Sequence, residues 1–414
     1  MRRSRPSGQP LRRPGFPGRV GAPEAAGATA SAQVSAAHQI EPFEQVAATL
    51  PAEHEPAPEE AGPPLEQSIE AAAPGGIPVA AVAVPSPTEG VAAPDLAWAT
   101  ETVETIAHAL EERVVGQLLL EETLLLGLMT GGHILLESVP GLAKTTAAAT
   151  LARAVSGSFA RIQCTPDLLP SDIVGTQVYD ASTATFETRL GPVHANLVLL
   201  DEINRSSAKT QSAMLEAMQE RQTSIAGRVY PLPEPFLVLA TQNPIEQEGT
   251  YVLPEAQLDR FMLKDVLDYP TLDDEAEVVR RIDAGVYLSE QRPVVTLEDI
   301  RRLQAIVRAV YLDEAVVRYA VGLAFVTRHA DAYLEPKLAR YVQFGASPRA
   351  SIAFAQAARA RAIIAGRDHV IPDDVKALAH RVLRHRIILG FEAVADEVPV
   401  ENIIDAVVAA VRTP

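Results

Sequence analysis

Short apolar runs alternate with longer amphipathic stretches in the middle of the chain. The runs cover residues 134–136, 197–200 and 236–240, and none of them contains a polar side chain. Runs of this length are typical of strands that are buried on both faces, as in parallel sheets covered by helices. The pattern therefore predicts an α/β domain built on a parallel sheet.

Beyond Tyr269 the pattern becomes helical only. Two helix starts are marked by capping signals, which are Thr296 followed by Asp299, and Ser347 followed by Pro348. Ser and Thr accept hydrogen bonds from the free N–H groups of a first helical turn, and proline is tolerated at the first helical position. We therefore predict an α/β core over residues 97–268 and a separate all-α domain over residues 269–414.

Residues 1–96 have a composition that does not support a folded core. They hold 16 of the 32 prolines and are dominated by Ala, Gly, Glu and Pro. Such a segment buries too little apolar surface to offset its chain entropy, so we predict a disordered arm. Order should begin near residue 97, where an amphipathic helix is expected. Four apolar residues share one face of that helix: Val103, Ile106, Ala107 and Leu110.

Charge, cysteine content and hydropathy limit the classes of protein to which the chain can belong. The formal net charge of -17 disfavours nucleic acid as a partner, because phosphate contacts dominate such binding. The single cysteine, Cys164, excludes an internal disulfide and agrees with a reducing compartment. No apolar run approaches the roughly 20 residues that a membrane-spanning helix needs. The sequence therefore predicts a cytoplasmic protein without a transmembrane segment.

The segment 134–146 has the order expected of a phosphate-binding loop, which is a strand, a turn of small residues and a helix start. Backbone N–H groups of such a loop face the anion, Lys144 would reach the β- and γ-phosphates, and the Thr145 hydroxyl would bind Mg²⁺. Ser138 and Ala143 stand where the usual pattern has glycine, so only Gly141 remains of the expected glycines. Taken alone, the segment also fits a helix-capping turn with an exposed lysine.

A second signal follows the apolar run 197–200. The run ends at Asp201 and Glu202, which places two carboxylates at the edge of the sheet where α/β proteins bind ligands. Asp201 would hold the magnesium shell and Glu202 would orient the attacking water, as phosphoryl transfer to water requires. The alternative is an acidic helix start stabilised by the helix dipole.

Two further residues fit the same chemistry. Asn243 follows the third apolar run, and its amide can donate to the γ-phosphate or to the attacking water; by itself, Asn followed by proline marks only a turn. Arg260 lies between an acid and an aromatic residue, where a surface salt bridge is the ordinary interpretation.

Five segments in combination resemble the MoxR family of AAA+ ATPases: residues 114–117, 161–172, 201–205, 240–249 and 345–350. The resemblance runs from about residue 103 to the C-terminus and does not cover the N-terminal arm. It implies an AAA+ P-loop core with a helical lid, ATP bound between them, and a hexameric ring. Arg260 would then be the arginine finger offered to a neighbouring subunit, and Arg349 the second sensor, acting within its own subunit or on the next.

Together, the motifs and the resemblance assign ATP and Mg²⁺ as cofactors. The residues expected to contact ATP are Val115, Gly116, Gln117, Pro140, Gly141, Leu142, Ala143, Lys144, Thr145 and Thr146. Those expected to hold Mg²⁺ with the phosphates are Thr145 and Asp201. The catalytic set is Glu202, Asn243, Arg260 and Arg349.

The family also has an insert in the second core helix, which here should form a hairpin over residues 176–189. A second hairpin is expected over residues 221–235, turning near Ala226 and Gly227. Both hairpins would face the pore of the ring or a partner surface. By resemblance, the client is a protein, in some systems one with a von Willebrand factor A domain.

Three functional classes fit these observations. The first is a chaperone-like ATPase that remodels or matures client proteins. The second is a related motor with the same insert, such as a DNA helicase or a magnesium-chelatase subunit, against which the acidic net charge and the scarcity of lysine in the hairpins argue. The third is a nucleotide-regulated scaffold without turnover, which would not need the full catalytic set.

Overall fold

Residues 90–244, 251 and 253–414 are described by the structure, a computed structural model. The predicted disorder of the N-terminal arm falls almost wholly outside these residues. The first helix, α1 (Ala93–Glu111), begins before the expected boundary at residue 97, with Pro94 in its first turn, where a missing N–H costs nothing. It buries Val103, Ile106 and Leu110, as its periodicity predicts.

Helices and strands alternate through the core. In chain order they are α2 (Leu118–Thr130), β1 (Ile134–Glu137), α3 (Lys144–Ala154), β2 (Phe159–Gln163), α4 (Pro170–Val174), β3 (Gly175–Asp180), β4 (Thr185–Leu190), β5 (Leu197–Asp201), α5 (Ala208–Glu220), β6 (Gln222–Ile225), β7 (Arg228–Pro231), β8 (Leu237–Gln242), α6 (Glu255–Leu258) and β9 (Leu263–Val266). A 3-10 turn covers Ile203–Arg205, and a second one covers Val286–Leu288. No described helix has both the length and the apolar character needed to cross a membrane.

Five of these strands form a parallel sheet with the order β2-β5-β8-β1-β9. The three predicted strands are confirmed as β1, β5 and β8, which occupy its centre. On β5, Leu197 and Leu199 join the apolar cluster on one side of the sheet, while Val198 and Leu200 join the cluster on the other. Burial on both faces explains why these strands are continuous apolar runs.

Both predicted hairpins are confirmed. The insert hairpin pairs β3 with β4, and the second hairpin pairs β6 with β7. The second hairpin turns at Ala226 and Gly227, which both have positive φ as a two-residue hairpin turn requires. The Tyr230 hydroxyl donates to Thr188 Oγ1 at 3.0 Å, so strands β7 and β4 of the two hairpins are joined.

The lid is built mainly of helices. They are α7 (Leu272–Asp283), α8 (Leu297–Ala309), α9 (Glu314–Arg328), α10 (Ala330–Tyr333), α11 (Pro336–Ala339), α12 (Pro348–Ile364), α13 (Pro372–Ala377), α14 (Ala379–Leu383), α15 (Phe391–Ala395) and α16 (Val400–Ala410). Thr296 and Ser347 cap α8 and α12 as predicted. The expectation of an all-α lid is wrong in one detail, because β10 (Val342–Phe344) pairs with β11 (Ile388–Leu389). These strands are too short to produce an alternating pattern.

A buried ion pair fastens the lid to the core. Arg381 of α14 donates from Nε to Asp265 Oδ2 on β9 at 3.1 Å, and its Nη2 donates to Thr123 Oγ1 on α2 at 2.6 Å. Asp265 is only 1% exposed and Arg381 only 6%. Glu122 accepts a further hydrogen bond from Arg381 Nη1 at 2.9 Å. Three elements therefore meet at one charge network whose central ion pair, Arg381 with Asp265, is closed to solvent.

We expect Arg381→Ala to lower the free energy of unfolding by about 3–5 kcal/mol, because removing one partner leaves the other charge buried without compensation. Arg318 pairs with Glu314 at 3.1 Å on the surface of α9, so Arg318→Ala is the matched control and should cost at most about 1 kcal/mol. Urea unfolding followed by circular dichroism measures both. Equal losses in the two variants would contradict the structural importance of the pair.

Candidate nucleotide site

The segment between β1 and α3 forms a cradle at the carboxyl edge of the sheet. Gly141 has φ +90°, and a side chain at this position would meet open space, so here the backbone conformation, not crowding, favours glycine. Ala143 adopts the left-handed conformation with φ 54° immediately before α3 begins at Lys144. The first N–H groups of α3 therefore face the cavity, which is the arrangement that binds anions at helix starts.

Lys144 is held at the mouth of this cradle. Its ammonium donates to Ser138 Oγ and, at 3.1 Å, to the Val139 carbonyl oxygen. Burial lowers the pKa of Lys144, while the nearby carboxylates of Asp201 and Glu202 act in the opposite direction. Ser138, which replaces the usual glycine, thus contributes a hydroxyl that contacts the functional lysine.

The cradle opens into a cavity of about 380 Å³. Its lining joins the loop to the ends of β2, β5 and β8: Ser138, Pro140, Gly141, Leu142, Ala143, Lys144, Thr145, Thr146, Arg161, Gln163, Asp201, Glu202, Thr241, Gln242 and Asn243. The structure therefore brings the predicted loop, both acids and Asn243 into one site. The interpretation of the loop as a mere capping turn with an exposed lysine does not account for this convergence.

The two carboxylates occupy different environments within the cavity. Asp201 ends β5, and its Oδ1 accepts from the Thr241 hydroxyl at 2.8 Å. Glu202 has a positive φ of 58°, which turns the chain away from the strand, and its N–H donates to Thr241 Oγ1 at 2.9 Å. Its Oε2 accepts from Gln163 Nε2 at 3.1 Å and lies 3.2 Å from Arg205 Nε. Thr241 thus fixes the backbone of one acid and the side chain of the other.

Five residues that line this cavity were not predicted as nucleotide, metal or catalytic residues: Ser138, Arg161, Gln163, Thr241 and Gln242. Arg161 and Gln163 come from β2, a strand whose sequence has too few apolar residues to form a recognisable run. Thr241 lies inside the third apolar stretch and is 1% exposed. The sequence did contain a signal for Arg161 and Gln163, which is the alternation of polar and apolar residues on β2. The exposed Arg161 and Gln163 flank the buried Ile162, as expected for a strand at the edge of a sheet.

Arg260 and Arg349 do not reach this cavity. They line a second cavity of about 300 Å³, together with Asp259, Arg386 and residues at the amino end of β1. Among the described residues, the two linings have no member in common. The loop cradle lies at the carboxyl end of β1, so the two cavities lie at opposite ends of that strand.

Asp259 ties the second cavity to the lid. Its Oδ1 accepts from Arg386 Nε at 2.7 Å, and its Oδ2 accepts from the Ser347 hydroxyl at 2.7 Å. Arg349 Nη1 lies 3.7 Å from the same Oδ2. Arg386 is almost fully buried, and this burial lowers its pKa. Arg260 and Arg349 therefore line the same cavity as Asp259.

The phosphate cavity does not test the expectation that ATP lies between core and lid. None of the described residues that line it belongs to the lid. The lid is anchored on α2 and β9 through Arg381.

Val115, Gly116 and Gln117 also lie outside the lining of the phosphate cavity. They form the connection between α1 and α2, next to the start of α7. A side chain at Gly116 would collide with Asp274, since a Cβ there would lie 2.4 Å from Asp274 Cγ. Gln117 is buried, and its Nε2 lies 3.5 Å from the Asp268 carbonyl oxygen. Glycine is thus required at position 116 for packing, whatever this segment binds.

Comparisons with known proteins agree with this geometry. The model of the ATPase family associated with various cellular activities (AAA) matches residues 133–263, and that of the AAA lid domain matches residues 337–407. Chaperone MoxR1 of Mycobacterium tuberculosis is 47% identical over 80% of this chain and 86% of its own length. The uncharacterized protein YeaC of Bacillus subtilis is 44% identical over 70% of this chain and 88% of its own length.

A solved structure supports the same assignment. A Cytophaga hutchinsonii protein provisionally described as an ATPase superposes with a TM-score of 0.73 at 43% sequence identity, covering 78% of this chain and 97% of that one. The phosphate-binding loop, the acids at the end of β5 and the helical lid define an AAA+ ATPase, an enzyme that hydrolyses ATP. Within that class, the chain belongs to the MoxR family. The resemblance and the fold class predicted from the sequence are confirmed.

The assigned roles of Lys144 and Glu202 lead to opposite mutant phenotypes. We expect Lys144→Ala to weaken ATP binding by about tenfold or more, because it removes a charged donor to the phosphates. Glu202→Gln should bind ATP within about threefold of the unchanged protein but turn over about 10²-fold more slowly, since a general base contributes at least that much. Calorimetric ATP binding and phosphate release measure the two effects.

Lys209→Ala removes an exposed lysine on α5 and is the control for a simple change of charge. It should leave ATP affinity and turnover unchanged. Equal ATP affinities in Lys144→Ala and Glu202→Gln would contradict the assigned roles.

Proposed function

We propose that this MoxR-family ATPase hydrolyses ATP at the interfaces of a hexameric ring and uses the cycle to remodel or mature a client protein. The observation that carries the proposal is the separation of the catalytic set. Lys144, Asp201 and Glu202 line one cavity, whereas Arg260 and Arg349 line another at the opposite end of β1. Neither cavity holds the full set, so a neighbouring subunit would have to supply the missing arginines.

Within one subunit, the phosphate cavity performs the first part of the chemistry. The N–H groups at the start of α3 and the Lys144 ammonium bind the phosphates, while Glu202 orients the attacking water and accepts its proton. Asn243 lines the same cavity and would contact the γ-phosphate or that water. We keep Val115, Gly116 and Gln117 as proposed contacts of the nucleotide at the junction of core and lid.

A magnesium ion fits the donors of this cavity. The hydroxyl of Thr145 and the carboxylate of Asp201 are oxygen ligands, and Mg²⁺ in nucleotide sites typically takes one or two carboxylates together with substrate phosphates. When bound, the ion neutralises charge on the phosphates as the γ-phosphoryl group leaves.

The second part of the chemistry comes from the cavity that Arg260 shares with Arg349. Arginines presented to a leaving γ-phosphoryl group stabilise the negative charge of the transition state. Asp259 accepts hydrogen bonds from Arg386 and Ser347, so the segment that carries Arg260 is braced by lid residues. We propose that both arginines act on the adjacent subunit, which also assigns a trans role to the second sensor.

The client is proposed to be a protein. The Mycobacterium tuberculosis relative is named a chaperone, and family resemblance points to clients with a von Willebrand factor A domain. The insert hairpin and the second hairpin together offer an accessible surface for such contacts. On it, Tyr179 and Phe186 are exposed by 54% and 68%, with ring centroids 5.3 Å apart, and Val229 of the neighbouring hairpin is exposed by 59%.

The trans assignment of Arg260 can be tested by mixing subunits. Arg260→Ala should bind ATP almost normally and lose about 10³- to 10⁵-fold in turnover, because an arginine finger acts mainly in the transition state. Mixing it with Lys144→Ala should restore activity. In an equal random mixture, about a quarter of the interfaces carry both intact residues, since a heterologous interface takes one surface from each neighbour. Steady-state ATPase assays at assembling concentrations give the measurement.

Subunit exchange must be shown separately, for example by sedimentation of differently labelled variants. A mixture that exchanges subunits and stays inactive would count against the trans role. It would favour the interpretation of Arg260 as a structural residue in a surface salt bridge.

The client role has its own test. Glu202→Gln loaded with ATP should remain in the binding state and retain a client protein through affinity purification, because hydrolysis is blocked while nucleotide binding persists. Lys144→Ala, assayed at an ATP concentration that saturates Glu202→Gln but not Lys144→Ala, is the matched control and should retain the same protein weakly. Identical recovery by both variants would contradict an ATP-dependent client cycle.

A further inference from the structure

Arg161 is a charged group in the phosphate cavity to which the proposed chemistry assigns no role. It lies on β2, at the edge of the sheet, and its neighbour Ile162 points into the apolar core. β2 pairs with β5 in parallel register, with Arg161 opposite Leu199 and Gln163 opposite Asp201. Because opposite residues of paired strands share a face, the Arg161 side chain extends along the same face as Asp201.

The guanidinium of Arg161 is directed at a single carboxylate oxygen. Its Nη2 donates to Asp201 Oδ2 at 2.5 Å, and its Nε donates to the same oxygen at 3.2 Å. Nη2 also donates to Gln163 Oε1 at 3.0 Å. The other Asp201 oxygen, Oδ1, accepts from Thr241. Both oxygens of the proposed metal-binding carboxylate therefore have donors from the protein itself.

We propose that Arg161 is a counter-ion that competes with the divalent cation for Asp201 and thereby sets the cation concentration at which the site is loaded. A guanidinium and a divalent cation repel each other, and both need the negative charge of the same oxygen. The cation binds Asp201 only as Arg161 withdraws from Oδ2. The Arg161 side chain is 48% exposed, so it has room to withdraw toward solvent.

The hydrogen-bond partners of Arg161 differ from those expected of a residue that binds phosphate. The hydrogen bonds formed by its Nε and Nη2 go to Asp201 and Gln163, and none of them goes to the loop cradle. Lys144 already supplies the positive charge at the cradle. Removing Arg161 should therefore change the affinity for the cation and leave the metal-independent affinity for the phosphates almost unchanged.

This inference rests on the proposed role of Asp201 at the metal, so the experiment measures cation binding apart from turnover. Mn²⁺ is titrated into the full chain with saturating ADP, and free Mn²⁺ is followed by electron paramagnetic resonance. Arg161→Gln should bind Mn²⁺ about three- to tenfold more tightly than the unchanged protein, a change of about 0.7–1.4 kcal/mol. ADP affinity in EDTA should change by less than about twofold, because this measurement contains no cation.

Arg153→Gln is the control, since it removes the same charge from an exposed position near the end of α3 and should leave Mn²⁺ affinity unchanged. Asp201→Asn should weaken Mn²⁺ binding strongly, and adding Arg161→Gln to it should then have no effect. Circular dichroism confirms that each variant is folded.

Each alternative result has a distinct meaning. Unchanged or weaker Mn²⁺ binding in Arg161→Gln, with Asp201→Asn impaired, overturns the counter-ion role and leaves the metal role of Asp201 intact. A loss of ADP affinity in EDTA overturns it in favour of a phosphate ligand. Normal Mn²⁺ binding in Asp201→Asn overturns the metal role, and the inference fails with it.

Discussion

The buried ion pair between Arg381 and Asp265 determines where the lid lies. Charges removed from water are costly unless they are paired and hydrogen-bonded, and Asp265 sits within β9 with only 1% of its surface exposed. Arg381 reaches it from the lid, while Thr123 of α2 completes the network. The lid can satisfy these groups only when it packs on α2 and β9. Its position relative to the sheet is therefore fixed by polar contacts as well as by the apolar cluster that continues into the lid.

That position also determines which residues surround Asp259. With the lid on α2 and β9, Ser347 and Arg386 meet Asp259, and Arg349 comes to lie beside Arg260. The phosphate cradle lies at the other end of β1, a strand of four residues that spans about 13 Å. In the proposed ring, each subunit would carry one half of a catalytic site on each of two surfaces, and neighbouring subunits would join the two halves.

Sequence patterns predicted the parts of the site that follow strands. Lys144, Asp201, Glu202 and Asn243 were found because each follows an apolar run, and the carboxyl ends of parallel strands share one edge of a sheet. Arg161 was missed because β2, at the edge of the sheet, fully buries only Ile162 and so forms no continuous apolar run. The placement of the lid could not be predicted either, since Arg381 and Asp265 have the sequence appearance of ordinary surface charges.

The separation of the two cavities gives the lid a mechanical role in the proposed ring. Asp259 binds Arg386 and Ser347 of the lid, and Arg260 is the next residue in the chain. Any shift of the lid against the core therefore acts on the segment that carries Arg260. In a ring, this segment would face the ATP of the next subunit, so lid position in one subunit and hydrolysis in its neighbour are coupled through a single carboxylate. A lid that acted only on its own nucleotide would confine this coupling to one subunit, whereas the contacts of Asp259 would extend it to the next.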